Sequence, residues 1–316
     1  MSQQRLLAIF AHPDDEAFRC GGTLARLARR GVAVHLLTFT RGQAGSCGQP
    51  PICRQEELGA VRTAELRCSC RALGIPAPVV LDYEDGRLAE VEAEEGAAMI
   101  SAQIQAIQPQ ILLTWPLDGL SGHPDHAAVS RWTLAAYQRA IEAGNTNLTA
   151  LYHLAMPESL ANQLGLTQLH TLPDRDITVT VDVQPVWEQK IAAIACHRTQ
   201  AGESPILQAP LERQVRFLGW EHFHLFASHP PAGGESANLV DWLNSEANMA
   251  KKRTRKKRLQ VGRLFLGPRN KAGTGPAPIN ATRTVEVCRW CGEDVDESRD
   301  ICPYCGSDLS WVRRGK

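Results

Sequence analysis

Through the first 145 residues, short apolar runs alternate with stretches in which apolar side chains recur every three or four positions. Residues 6–11 are almost entirely apolar, the pattern of a strand covered on both faces. A helix is predicted over 21–30, closed by Gly31, and a second strand over 32–40. Leu58, Val61, Ala64 and Cys68 then share a helical face, and Gly74 ends that helix. A strand at 79–82, a helix at 91–107 with Pro109 just beyond, and a strand at 111–115 continue the series. The helix predicted over 124–143 lines up Val129, Trp132, Ala136 and Ala140. Such a succession builds an α/β fold: a mostly parallel sheet with helices on both faces.

Beyond residue 145 the pattern loosens. Strands are predicted over 151–156 and 177–183, a helix over 185–198, and a turn-rich loop over 200–210. Residues 213–226 hold aromatics and histidines without a period that types them. At residue 247 the character changes altogether. The segment 251–258 (KKRTRKKR) is basic at all but one position, and 267–278 is rich in Gly, Pro and Ala. The expected organisation is a domain over 1–246, a basic Gly/Pro-containing linker over 247–284 and a small module over 285–316.

Charge sharpens this division. The 316 residues carry 34 basic and 34 acidic side chains, but 16 of the basic and only 7 of the acidic ones lie in 247–316. An acidic body therefore carries a basic tail. The N-terminal MSQQRLLAIF lacks the basic start and long apolar core of a signal peptide, so a soluble, cytoplasmic chain is expected. Ten cysteines then argue for thiols or metal rather than disulfides.

Chemistry concentrates in two clusters. AHPDDE (11–16) follows the first strand, at the sheet edge where α/β proteins build sites. His12, Asp14 and Asp15 put an imidazole and two carboxylates on a turn stiffened by Pro13, a set that suits zinc plus a base. Taken alone, the same residues would serve as a solvated turn before a helix. GHPDH (122–126) follows the fourth strand and places His123 and His126 three residues apart on a helix start. By itself it reads equally as a helix cap. Together the clusters offer three ligands, an open coordination position and leftover acid–base groups, the composition of a catalytic zinc site.

With these motifs the chain resembles the PIG-L/LmbE-like zinc-dependent de-N-acetylases, over about the first 230 residues. The resemblance runs through AHPDDE, TFTRGQAGS (38–46), VRTAEL (61–66), DYEDGRL (82–88), GHPDH and KIAAIACHRTQ (190–200). It implies a Rossmann-like fold and a hydrolase that removes acetyl from an N-acetylated amino sugar of the N-acetylglucosamine type. It implies zinc held by His12, Asp15 and His126, with Asp14 as general base. His123, protonated, would face the developing oxyanion, and Asp125 would tune it. Arg62 and Asp85 match positions near the sugar, and His197 matches a downstream histidine of the family. Two departures stand out. Arg19 replaces a small residue and, facing the cleft, would favour an anionic substrate; facing solvent, it would do nothing. Ser121 stands where some relatives carry a tyrosine that assists the oxyanion.

Cys288, Cys291, Cys302 and Cys305 form a C-x2-C-x10-C-x2-C array. Four thiolates make a closed structural zinc site, here resembling a zinc ribbon, with two disulfides as the other reading. The ribbon and basic linker are candidates for contact with a polyanion or protein, against a plain solvated linker. A non-catalytic nucleic-acid- or protein-binding module acting through this tail is the alternative to the enzyme. A dinucleotide-dependent oxidoreductase is excluded, since the first strand–helix turn lacks G-x-G-x-x-G. Because the catalytic motifs all precede residue 247, removing 247–316 is expected to leave a folded hydrolase active on a small acetylated sugar. Loss of that activity on truncation would show that the tail completes the cleft.

Overall fold

The computed structural model describes residues 3–230, 237–244, 285–287 and 294–296. Its centre is a seven-stranded sheet of β1 (Arg5–Phe10), β2 (Ala33–Thr40), β3 (Val79–Tyr83), β4 (Ile111–Thr114), β5 (Ala150–Ala155), β6 (Val179–Asp182) and β7 (Trp220–Ser228). The order is β3-β2-β1-β4-β5-β7-β6, parallel throughout except that β7 runs against both its neighbours. The expected mostly parallel α/β sheet is therefore present. The chain reverses direction from β1, outward through β2 and β3 on one side and through β4 on the other. That switch opens a crevice at the carboxyl ends of β1 and β4.

The helices are α1 (Asp15–Arg29), α2 (Leu58–Leu73), α3 (Ala93–Ile107), the short α4 (Gly119–Gly122), α5 (Pro124–Glu142) and α6 (Glu158–Leu164). They continue with α7 (Trp187–Cys196), α8 (Arg198–Ala201), α9 (Pro205–Gln208), α10 (Leu211–Leu218) and α11 (Leu239–Asn244). Because β1 is buried on both faces, its alternate residues feed two cores. Leu6, Ala8 and Phe10 pack with Leu24, Leu66 and Ile194 from α1, α2 and α7. Leu7 and Ile9 pack with Ile100 and Trp132 from α3 and α5. The untyped stretch 213–226 resolves into the end of α10, a break at Gly219, and β7. Among the described residues no helix is long and apolar enough to cross a membrane.

One buried ion pair ties β7 to the first helix. Lys190 and Glu221 are 0% and 1% exposed and 2.7 Å apart. Glu221 also accepts the backbone N–H groups of Gly22 and Thr23, at 2.8 and 2.6 Å, from the middle of α1. Gly22 permits this approach, since a Cβ there would lie 2.3 Å from Val183. Both charges are thus fully partnered, the condition for tolerating them in a core.

The cysteine expectation needs a correction. Cys68 and Cys196 form a disulfide, with Cα atoms 5.7 Å apart, while Cys20, Cys47, Cys53 and Cys70 are thiols. The two residues are 128 positions apart and neither sits in a paired motif, so only the packing of α2 against α7 brings them together. Cys288, Cys291, Cys302 and Cys305 lie outside the described residues, as does the linker; the tail contributes an antiparallel pair, β8 (Val285–Val287) and β9 (Asp294–Asp296). Replacing both Cys68 and Cys196 with Ala should cost about 2–4 kcal/mol, read as a lower urea midpoint. Full alkylation of both residues in the unreduced protein would rule the bridge out.

Candidate active site

The turn after β1 is built around Asp15. Its Oδ2 accepts the N–H groups of Ala11 (3.2 Å) and His12 (2.9 Å) and the indole N–H of Trp115 (3.3 Å). Oδ1 is left facing Nε2 of His126 at 3.4 Å. His126 comes from the first turn of α5, stacked on Trp115 with ring centroids 3.9 Å apart and planes within 6°. Its Nδ1 donates to the carbonyl of Gly119 at 3.2 Å. Gly119 has φ +74°, and a Cβ there would lie 3.0 Å from that of His126, so both the backbone and the space favour glycine.

His12 completes the cluster. Its Nε2 meets Asp85 Oδ1 at 3.0 Å and Asp125 Oδ2 at 3.1 Å, which directs Nδ1 toward His126 Nε2, 3.2 Å away, and Asp15 Oδ2, 3.8 Å away. Three acceptor atoms thus converge. With the outer ring nitrogens committed as donors, neutral His12 and His126 turn lone pairs toward each other and toward a carboxylate. A metal cation between them would satisfy all three at once. Four-coordinate zinc, with bonds of roughly 2.0–2.1 Å, sets its donors about 3.3 Å apart, close to the spacing found here. The outer contacts also match the carboxylate and carbonyl partners that orient metal-bound imidazoles. His12, Asp15 and His126 therefore fit a zinc ion. His12, His123 and Asp125 also come within reach of one ion. That set is weaker, because Asp125 already accepts from Gly86 (2.8 Å) and Leu88 (3.0 Å), and His123 Nδ1 from the Asp125 N–H (3.2 Å).

The neighbouring Asp14 is treated differently. It has φ 110°, a left-handed conformation costly for a residue with a Cβ. Its N–H donates to Glu16 Oε2 at 3.0 Å, and the Arg62 guanidinium donates to both Pro13 O and Asp14 Oδ2. The side chain remains 23% exposed, open to water beside the three donors. Burial pushes its pKa up, partly offset by Arg62, and adjacent Asp15 adds to the rise, leaving it at about 6. For Asp15 burial acts in the same direction, but His126 and His12 overcome it and hold the carboxyl well below the usual range. Two carboxylates side by side thus have opposite tendencies, one poised to exchange a proton and one locked as an anion.

Comparison with known proteins decides the affiliation. Residues 7–137 match the family model described as PIG-L, GlcNAc-PI de-N-acetylase. The chain is 31% identical over 277 residues to a 1D-myo-inositol 2-acetamido-2-deoxy-alpha-D-glucopyranoside deacetylase of Mycobacterium sp. (strain JLS), spanning 76% of this chain and 90% of that protein. The enzyme so named in Rhodococcus jostii (strain RHA1) is 30% identical over 246 residues, 65% of this chain and 84% of its own length. The chain belongs to the PIG-L family. Solved structures agree on the fold. The N,N'-diacetylchitobiose deacetylase of Pyrococcus horikoshii aligns with a TM-score of 0.53 at 20% identity, covering 71% of this chain and 84% of its own. The 4-carboxy-2-hydroxymuconate hydratase GalB of Pseudomonas putida KT2440 aligns at 0.51 and 17% identity, covering 72% and 98%. A deacetylase and a hydratase share this architecture, so the fold alone does not choose a reaction.

Within this PIG-L site the sequence-expected residues take up unequal positions. Arg62 is 4% exposed and Asp85 lies against His12 and the Ala44 N–H, so both are bonded to the protein's own machinery. Asp125 spends its carboxylate on His12, Gly86 and Leu88; what reaches His123 is its charge and its N–H. His123 caps α5 and lies over His126 with centroids 4.6 Å apart. Burial, then His12 and His126, lower its pKa, which works against the expected imidazolium, and its Nδ1 accepts the Asp125 N–H. Arg19 faces neither solvent nor an open cleft. It is 8% exposed, donates to Ala155 O at 3.3 Å and lies over the Phe217 ring, so its expected preference for anionic substrates loses its basis. Ser121 is exposed on α4.

Two supports escaped the sequence reading. Glu16, the last residue of AHPDDE, accepts from Asp14 through Oε2 and pairs through Oε1 with buried His197 at 2.8 Å. Glu65, inside VRTAEL, holds the N–H and hydroxyl of Thr199. Both stood within the family motifs, which was the available signal. The donor set carries a pH consequence. Burial pushes the His12 pKa down, yet Asp125, Asp85 and Asp15 outweigh it and lift it to about 10. Zinc must displace that proton, so its affinity should strengthen about tenfold per pH unit between about pH 6 and 9. A competition titration giving pH-independent affinity would remove His12 from the ligand set.

Proposed function

We propose that this PIG-L protein is a zinc-dependent hydrolase that removes the acetyl group from an N-acetylglucosamine-type glycoside. The observation that carries the reading is the convergence of His12 Nδ1, His126 Nε2 and Asp15 beside a separate, water-accessible Asp14. The inositol-linked acetamido sugar named for its relatives makes that class the first to test.

Bound zinc would supply Lewis acidity and lower the pKa of water at the site. The chain's own residues do the rest. Asp14, ionised above about pH 6, accepts the proton of the attacking water. His123 presents Nε2–H as a hydrogen-bond donor for the oxygen that gains charge when the acetamide carbonyl is attacked. The proton held on Asp14 is then available to the departing amine, so that acetate and a free amino sugar leave. Arg62 keeps Asp14 in place and favours its ionised form, while Asp85 and Asp125 fix the ring of His12.

Release of amine from N-acetylglucosamine glycosides by the zinc-loaded and the metal-free protein tests the reaction directly; equal rates in both would defeat it. Asp14→Asn should retain zinc and lose activity by about 10²–10⁴-fold. Asp15→Asn should chiefly lose zinc, and equal metal loss in the two variants would reverse the assignments. Arg62→Gln removes a cation that lowers the Asp14 pKa, so the acid limb of kcat/KM should move to higher pH. An unmoved limb would detach Arg62 from the base.

A further inference from the structure

The helices α7, α8, α9 and α10 surround a cavity of about 470 Å³. Its wall is mostly aliphatic, built from Ile191, Ile194, Ala195, Ala201, Leu207 and Leu211. Two polar groups interrupt it. Arg198 lines the cavity and, among the described residues, has no hydrogen-bond or ion-pair partner. Gln214, 7% exposed, donates through Nε2 to Leu207 O (3.0 Å) and Ala209 O (2.8 Å). Those two carbonyls fix the amide orientation, and its Oε1 is left buried with no donor.

A volume of this size, apolar walls and a few polar groups describe a small-molecule site. Arg198 specifies the ligand. A free guanidinium asks for an anion, and carboxylates match its fork of N–H donors. Gln214 Oε1 has no accessible surface, so Gln214 walls the cavity rather than meeting its occupant. We propose that this cavity binds an aliphatic carboxylate, of which a medium-chain fatty acid is the simplest example. The alkyl chain lies on the aliphatic wall and the carboxylate meets Arg198. The site is separate from the zinc donors: α8 turns Arg198 and Ala201 to the cavity, whereas Thr199 and Gln200 bond to Glu65 and the carbonyl of Ser46.

Isothermal titration calorimetry of the full chain with octanoate tests this without recourse to turnover. Saturable one-to-one binding is expected, and none for octyltrimethylammonium. Arg198→Gln should weaken binding about tenfold, the scale of one lost charged contact. Leu211 is 47% exposed, so Leu211→Glu places an anion on the rim with little risk to the fold. It should abolish binding while the melting temperature and deacetylase rate stay unchanged. No binding by the wild-type chain, equal affinity for the cationic amphiphile, or indifference to both substitutions would overturn the assignment.

Discussion

Three lone pairs aimed at one point create a charge problem that the catalytic edge is organised to contain. Left alone, His12, His126 and Asp15 would swing apart. They are prevented by contacts on their far sides: Gly119 O behind His126, Asp85 and Asp125 behind His12, and three N–H groups behind Asp15. A single proton between the rings would satisfy only two of the three acceptors. The site is therefore preorganised for a cation, with the orientation cost met during folding. Sheet topology makes this possible, because β1 and β4 deliver their following turns to the same crevice.

The division of labour between adjacent aspartates arises from the backbone. A left-handed Asp14 turns its carboxylate away from the anchoring N–H groups that Asp15 collects, so one side chain is saturated and the other stays open. Nothing in the residue type separates them; the surrounding donors do. Glu16 then supports the strained turn from below and links it to His197.

How much of this the sequence disclosed follows from where the determinants lie. The central strands were readable because two-sided burial leaves unbroken apolar runs, as in β1 and β4. The start of α1 was harder. Asp15 to Cys20 are mostly buried polar and small residues, and Gly21–Gly22 look like a break, so the helix was expected only from residue 21. The short helical turns over 198–208 read as loop, being too short to show a period. Site membership was legible because the acid–base and metal-type residues cluster in two short motifs. Partnerships were not. Arg62 reaches Asp14 across 48 residues and Asp85 reaches His12 across 73, contacts that only the sheet order creates. The place of Arg19 was left open for the same reason: its aromatic lid, Phe217, lies in a stretch whose type the sequence did not reveal.

The Glu221 carboxylate that pins Gly22 and Thr23 gives α1 the mechanics of a beam clamped at mid-span. Gly22 lies seven residues from Asp15, about 10 Å along the axis. The free end of that beam is the strained turn bearing Asp14, the proposed base, and His12 and Asp15, two of the three proposed metal donors. Its position is thus set from β7, an element that contributes no chemistry. Any displacement of the Lys190–Glu221 clamp is thereby carried along α1 to that turn.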